Sequence, residues 1–185
     1  MPIQNVLLSW GTYIEEGYPD TSRYGSGSPR IGIVPINRWV RPIFKFASDG
    51  LSGQIQSVSF NFYCDKTGGS NADFTIHKVN KAVATDATWY YADYSSLPWT
   101  GQGCAATEED RTAASLTATQ GFVATGWTSF AVNNLSLFNL WFAGQRAIIL
   151  VNSQTPTDYA SIALDPAPYL AIEYKTSLIG GIQIF

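Results

Sequence analysis

The sequence predicts an all-β protein, an antiparallel jelly-roll β-sandwich with one short helix. Three observations lead there. Apolar residues recur with a period of two rather than 3.6. The apolar runs are short and are separated by turn signals rich in Gly, Pro, Ser and Asp. No long helical pattern alternates with the strands, as a parallel α/β sheet would require.

Taken in chain order, Val40, Phe44 and Phe46 share one parity, with Arg41 and Lys45 on the other. In residues 56–64, Val58, Phe60 and Phe62 alternate with Ser57, Ser59 and Asn61. That is the signature of a half-buried strand with Ser57 and Asn61 facing away from the core. Cys64 follows in the buried parity and reads as a small hydrophobe. The run Ala147-Ile-Ile-Leu-Val151 has the length of a strand. Ala160, Ile162 and Leu164, and then Leu170, Ile172 and Tyr174, repeat the alternation. Turns are expected at 24–29, 48–50, 67–71, 102–103 and Asp165-Pro166. Leu135, Phe138, Trp141 and Phe142 alone recur at helical spacing, with Asn134 as N-cap and Gly144 to close the helix. The expectation is one sandwich over residues 1–175 and an apolar tail over 176–185.

Composition narrows the function. Of 185 residues, 14% are charged and 14% aromatic, so the chain is too poor in charge and too rich in rings for disorder. Eleven basic residues stand against fourteen acidic ones, for a net charge of −3. The basic residues are scattered, and no basic face is available to displace counterions from phosphates, so nucleic acid is not an expected partner. No apolar run approaches the roughly 18 residues of a membrane span, so no membrane is expected either. The first ten residues lack a basic segment followed by an apolar one, and export through a signal peptide is not expected. Cys64 and Cys104 have no metal-ligand spacing and are expected as free thiols.

Catalytic constellations are not evident. His77 is the single histidine and falls in mid-strand, with no motif to supply a nucleophile or an orienting acid. Glu15 and Glu16 are adjacent in a strand and point to opposite faces. Glu108-Glu109-Asp110 could offer oxygens to Ca²⁺, but a solvated acidic loop is the simpler reading, and no cofactor is expected. The densest aromatic stretch holds Trp89, Tyr90, Tyr91, Tyr94 and Trp99, with Asp93 among them. Aromatic faces cover pyranose rings and carboxylates bind their hydroxyls, so Tyr91, Tyr94, Trp99 and Asp93 form a candidate carbohydrate site. The competing reading makes Trp89 and Trp99 core anchors of a long crossover, leaving Tyr91 and Tyr94 as the surface candidates.

Read in order, several segments resemble the DNRLRE-type β-sandwich, a jelly roll related to carbohydrate-binding modules. They are Thr12-Tyr-Ile14, Tyr18-Pro-Asp-Thr21, Tyr24-Gly25, Ile31-Gly32 and Arg41-Pro-Ile-Phe44-Lys-Phe46. Ile55-Gln-Ser-Val58-Ser-Phe60, His77-Lys-Val79, Ala87-Thr-Trp89 and Pro98-Trp99-Thr-Gly-Gln-Gly103 follow. Gly126-Trp127-Thr-Ser-Phe130 and Pro168-Tyr-Leu-Ala-Ile-Glu-Tyr174 complete the likeness, which covers residues 12–174. Thr12 and Ala47 stand where that family often has Asp, so a site built on those acids is not carried over. The resemblance implies a non-catalytic binding module in which Trp89 and Trp99 are structural landmarks.

The expected function is a structural or adhesive subunit of a larger particle, a phage virion surface protein that decorates a head or belongs to a tail. It would be made in the cytoplasm without a signal peptide. Its partners would be copies of itself or capsid and tail proteins, with polysaccharide as a further ligand. The alternative is an extracellular carbohydrate-binding module or lectin, and a polysaccharide-degrading enzyme is the remote third. The tail residues Ile182, Ile184 and Phe185 are too apolar for a free terminus. They are expected either to fold back on their own sheet or to add a strand to a neighbouring subunit.

Overall fold

The computed structural model describes residues 1–34, 38–47, 54–67, 73–152, 159–175, 178–179 and 182–183. The strands are β1 (Ile3–Glu15), β2 (Arg30–Val34), β3 (Arg38–Phe46), β4 (Gln54–Thr67), β5 (Phe74–Lys78), β6 (Tyr91–Asp93) and β7 (Leu97–Pro98). β8 (Gly126–Ala131), helix α1 (Leu135–Phe142), β9 (Ala147–Asn152), β10 (Tyr159–Ile162) and β11 (Tyr169–Lys175) follow. The short β12 (Leu178–Ile179) and β13 (Ile182–Gln183) come last. Every strand pairing is antiparallel, and the fold is the all-β sandwich that the period of two demands.

One sheet runs β8, β4, β11 and the first half of β1, with Phe60 opposite Phe130 on one side and Leu170 on the other. The second runs through the other half of β1, then β3, β9 and β5. β1 serves both sheets: residues 3–7 pair with β11 and residues 8–15 with β3, the register shifting between Leu8 and Trp10. A bulge there bends the strand and turns the sandwich corner. At the other corner β10 pairs with the end of β4 and with β2, which leads back to β3.

The main core lies between the sheets and is rich in rings. Val58, Phe60, Phe62 and Cys64 of β4 are buried in alternation, as are Leu170 and Ile172 of β11. They meet Phe44 and Phe46 of β3, Phe74 and Ile76 of β5 and Ile148 and Leu150 of β9. Phe44 and Phe62 lie 5.1 Å apart between centroids, and Phe74 and Phe130 lie 5.0 Å apart. Asn61 points outward as its parity requires, yet it is also covered, its amide donating to the carbonyl and hydroxyl of Ser59 at 3.2 Å.

Helix α1 closes one end of this core. Asn134 Oδ1 accepts from the Leu137 amide at 3.0 Å, and Phe138 and Trp141 are buried against the sheets. Its last turn differs from expectation. Ala143 is the C-cap, in right-handed conformation, and Arg146 takes the positive φ of 57° instead of Gly144. The Arg146 guanidinium donates to the Phe142 carbonyl at 2.7 Å, satisfying one carbonyl that the helix end leaves open.

A second core sits on the outer face of the β1–β3–β9 sheet, where the sequence alternation suggested only Arg41 and Lys45. Ile14, Ile43, Ala147 and Ile149 are covered there by Val79, Val83, Trp89, Trp99 and Cys104 of the crossover that joins β5 to β8. β9 is therefore buried on both faces, which explains its unbroken apolar run. The same crossover returns along β5, with Leu116 donating to Ile76 and Gln120 exchanging both backbone bonds with Phe74, so the edge of β5 is covered. Among the described residues, no helix is long and apolar enough to cross a membrane.

Candidate functional site

The crossover absorbs most of the aromatic stretch that the sequence singled out. Trp99 is 6% exposed and its indole nitrogen donates to the Thr88 carbonyl at 3.0 Å. It has no face to offer a sugar, so it leaves the candidate site and joins Trp89 as a core anchor. Gly103 shows how tightly Trp89 is held. A Cβ on Gly103 would stand 2.6 Å from the Trp89 ring, and φ there is +70°. Arg41 lies over that ring at 5.2 Å and donates to the Gly103 carbonyl at 2.5 Å. Tyr91 and Tyr94 remain near the surface, edge to face at 6.0 Å, with Tyr94 well exposed and Asp93 partly so. This leaves one ring pair on a small β6–β7 hairpin, without the tryptophans.

In the acidic triplet Glu108 and Glu109 are exposed as expected, but Asp110 is not. Asp110 is fully buried and accepts from the amides of Thr100 and Gly101 at 2.8 Å and of Ala106 at 3.2 Å. Lys81 completes its shell at 3.1 Å. Burial alone would raise its pKa; the Gly101 and Thr100 amides and Lys81 outweigh burial and hold it below its ordinary value. Glu108 accepts from the Ala113 amide at 2.9 Å instead of turning toward Asp110. Among the described residues, no three His, Cys, Asp or Glu side chains gather as metal ligands would. Asp110 is a clip that ties three parts of the crossover together.

His77 is structural in the same way. One ring nitrogen bonds the Thr112 carbonyl at 2.9 Å and the other the Thr75 hydroxyl at 2.8 Å. Burial and the nearby Arg111 lower its pKa against the pull of the Thr112 and Ala114 carbonyls. Cys64 and Cys104 are both buried and form no disulfide, and burial raises the pKa of Cys104 far above its ordinary value. A neutral buried thiol is a poor nucleophile.

The tail strands β12 and β13 pair with each other, Leu178 opposite Gln183 and Ile179 opposite Ile182, in a ladder separate from the main sheet. Ile184 and Phe185 lie outside the described residues, as do the expected turns at 48–50 and 68–71.

The outer face of the other sheet is different. Among the described residues no crossover covers it, and its outward positions are Ser57, Ser59, Asn61 and Tyr63 on β4, Trp127, Ser129 and Ala131 on β8, Tyr169, Ala171 and Glu173 on β11, and Ile3, Asn5 and Leu7 on β1. Three of these are aromatic and adjacent. Trp127 pairs across the strands with Tyr63, their rings 5.6 Å apart and T-shaped, and meets Tyr169 on its other side at 5.2 Å. Trp127 is 48% exposed, while Ser57 bonds Glu173 at 2.9 Å beyond the rings. A row of rings set among hydroxyl, amide and carboxylate groups can cover the apolar face of a pyranose and bond its hydroxyls. Composition could not reveal this row, because its members lie far apart in sequence. Parity could have shown its two tyrosines, Tyr63 standing outward between the buried Phe62 and Cys64 and Tyr169 before the buried Leu170.

No protein-family model matches the chain, and the comparison with curated proteins returns no match.

Proposed function

We propose that the chain is a non-catalytic adhesive β-sandwich that binds glycan through the Tyr63–Trp127–Tyr169 row, displayed as a subunit of a larger particle such as a phage virion. The observation that carries the adhesive part is the half-exposed Trp127, in ring contact with two tyrosines on an open sheet face that also presents Ser57, Ser129 and Glu173. A large ring that the core does not need costs solvation unless something covers it. The absence of catalysis is supported by His77, whose two nitrogens are both engaged by the fold, and by Asp110, whose oxygens are taken up by amides and Lys81. The resemblance to DNRLRE-type modules points the same way.

Glycan-array screening of the wild type and of Trp127→Ala tests the binding. Signals that vanish in the variant, at unchanged melting temperature, support the reading; signals that survive remove Trp127 from it. Copurification with an assembled particle at fixed stoichiometry tests the setting. A chain that binds glycan yet accompanies no particle is the free lectin or carbohydrate-binding module instead.

A further inference from the structure

The aromatic row does not stop at the edge of its sheet. Tyr63 also walls a cleft of about 390 Å³, together with Ser28, Asp65, Asp165, Gly25 and Leu164. A second cleft of about 370 Å³ shares Gly25 and Leu164 with the first and reaches Trp10 and Tyr24. The lining therefore continues from Tyr169 and Trp127 through Tyr63 into a groove that ends at two more rings. Asp65 accepts from the Ser28 hydroxyl at 2.7 Å, which uses one of the roughly four lone-pair positions of a carboxylate. Asp165 is exposed on the same cleft. Among the described residues, no lysine or arginine lines either cleft.

We propose that the face and the groove form one extended site for a glycan of several residues, and that Asp65 and Asp165 make it select against anionic chains. The inference rests on the glycan-binding reading of the open face and adds its ligand class. Carboxylates without basic neighbours accept hydrogen bonds from neutral hydroxyls and attract amino sugars. They repel uronates held within a few ångströms, where screening by salt is weakest. A glycan that lies on the rings and enters the groove gains contacts that a disaccharide cannot make at both places.

Titration calorimetry decides it with three hexasaccharides: N-acetylglucosamine (neutral), glucosamine (cationic) and galacturonate (anionic). The wild type should bind a non-anionic hexamer and bind the galacturonate hexamer at least tenfold more weakly, about 1.4 kcal/mol. The variant Asp65→Asn/Asp165→Asn should shrink that gap to less than about threefold, and the disaccharide of the preferred sugar should bind at least tenfold more weakly than its hexamer. Both aspartates are on the surface, and an unchanged thermal melt verifies that the variant folds. Galacturonate binding as tight as the others, or a gap unmoved in the double variant while Trp127→Ala still abolishes binding, overturns the groove's role and leaves the open face standing. Failure of all three hexamers to bind the wild type overturns both.

Discussion

The two sheets of the sandwich share one core but live in different surroundings. The β1–β3–β9 sheet is buried on both faces: Phe44 and Ile148 point into the main core, while Ile43 and Ile149 point into the crossover. The β8–β4–β11 sheet keeps one face open among the described residues, and there Tyr63, Trp127 and Tyr169 stand with Ile3 and Leu7 of β1 among serine, asparagine and glutamate side chains. The contrast says which aromatic residues the fold requires. Trp89 and Trp99 stand on the covered side, where a ring fills space that would otherwise be a cavity. Trp127 stands on the open side, where the fold gains little from it. Aromatic density along the chain points to the first pair, and aromatic placement on the sheet points to the second.

The sharpest way to break this comparison is to truncate one ring on each side. Trp89→Ala should cost about 3–5 kcal/mol in urea unfolding, because it opens a cavity beneath Gly103 and leaves Arg41 without its ring. Trp127→Ala should cost less than about 1 kcal/mol and still abolish glycan binding. Equal costs would mean that the open face is as structural as the covered one.

The polar clip of the crossover comes next. Asp110→Ala should destabilise by about 3 kcal/mol, since it strands three amides and takes the ion-pair partner from Lys81. The pH dependence carries a sign. Asp110 has a lowered folded pKa, so its contribution is complete above about pH 4 and fades as the pH falls through the lower folded value. His77 is also lowered, so the unfolded chain takes up its proton first and stability declines as the pH drops below about 6.5. Melting temperatures between pH 7 and pH 3 should fall in both windows, and Asp110→Ala should flatten the lower one.

Gly103→Ala should cost about 1–3 kcal/mol by differential scanning fluorimetry, through the positive φ and the contact with Trp89. The smallest effect belongs to the remaining ring pair of the crossover. Tyr91→Ala/Tyr94→Ala should leave stability within about 1 kcal/mol and leave glycan-array signals intact. Signals lost in this double variant but kept in Trp127→Ala would move the binding site to the β6–β7 hairpin.

Much of the fold was legible because a strand's parity is local information. Val58, Phe60 and Phe62 are buried as their alternation indicates, and Asn134, Phe138 and Trp141 cap and anchor α1. The double burial of β9 was less legible, since an apolar run of that length identifies a strand without saying what lies on either side. Asp110 was misread as solvated because its partners, Lys81 and the amides of Thr100, Gly101 and Ala106, are brought to it only by the folded crossover. The aromatic row of the open face was not legible for the same reason. Tyr63, Trp127 and Tyr169 become neighbours only through the pairing of β8 and β11 with β4.

The divided allegiance of β1 sets an order of events during synthesis. Its second half can pair as soon as β3 has emerged, Thr12 meeting Ile43. Its first half must wait for the last strand of the sandwich, Ile3 for Glu173 and Val6 for Leu170. At about 5–20 residues per second, the delay on a ribosome is roughly 6–26 s. For that time the nascent chain exposes a strand edge and the side chain of Val6, which the finished fold buries completely. Chains emerging side by side from one message could pair through it before β11 arrives. The rate at which the ribosome delivers β11 therefore governs how much of the protein closes on itself and how much is lost to its neighbours.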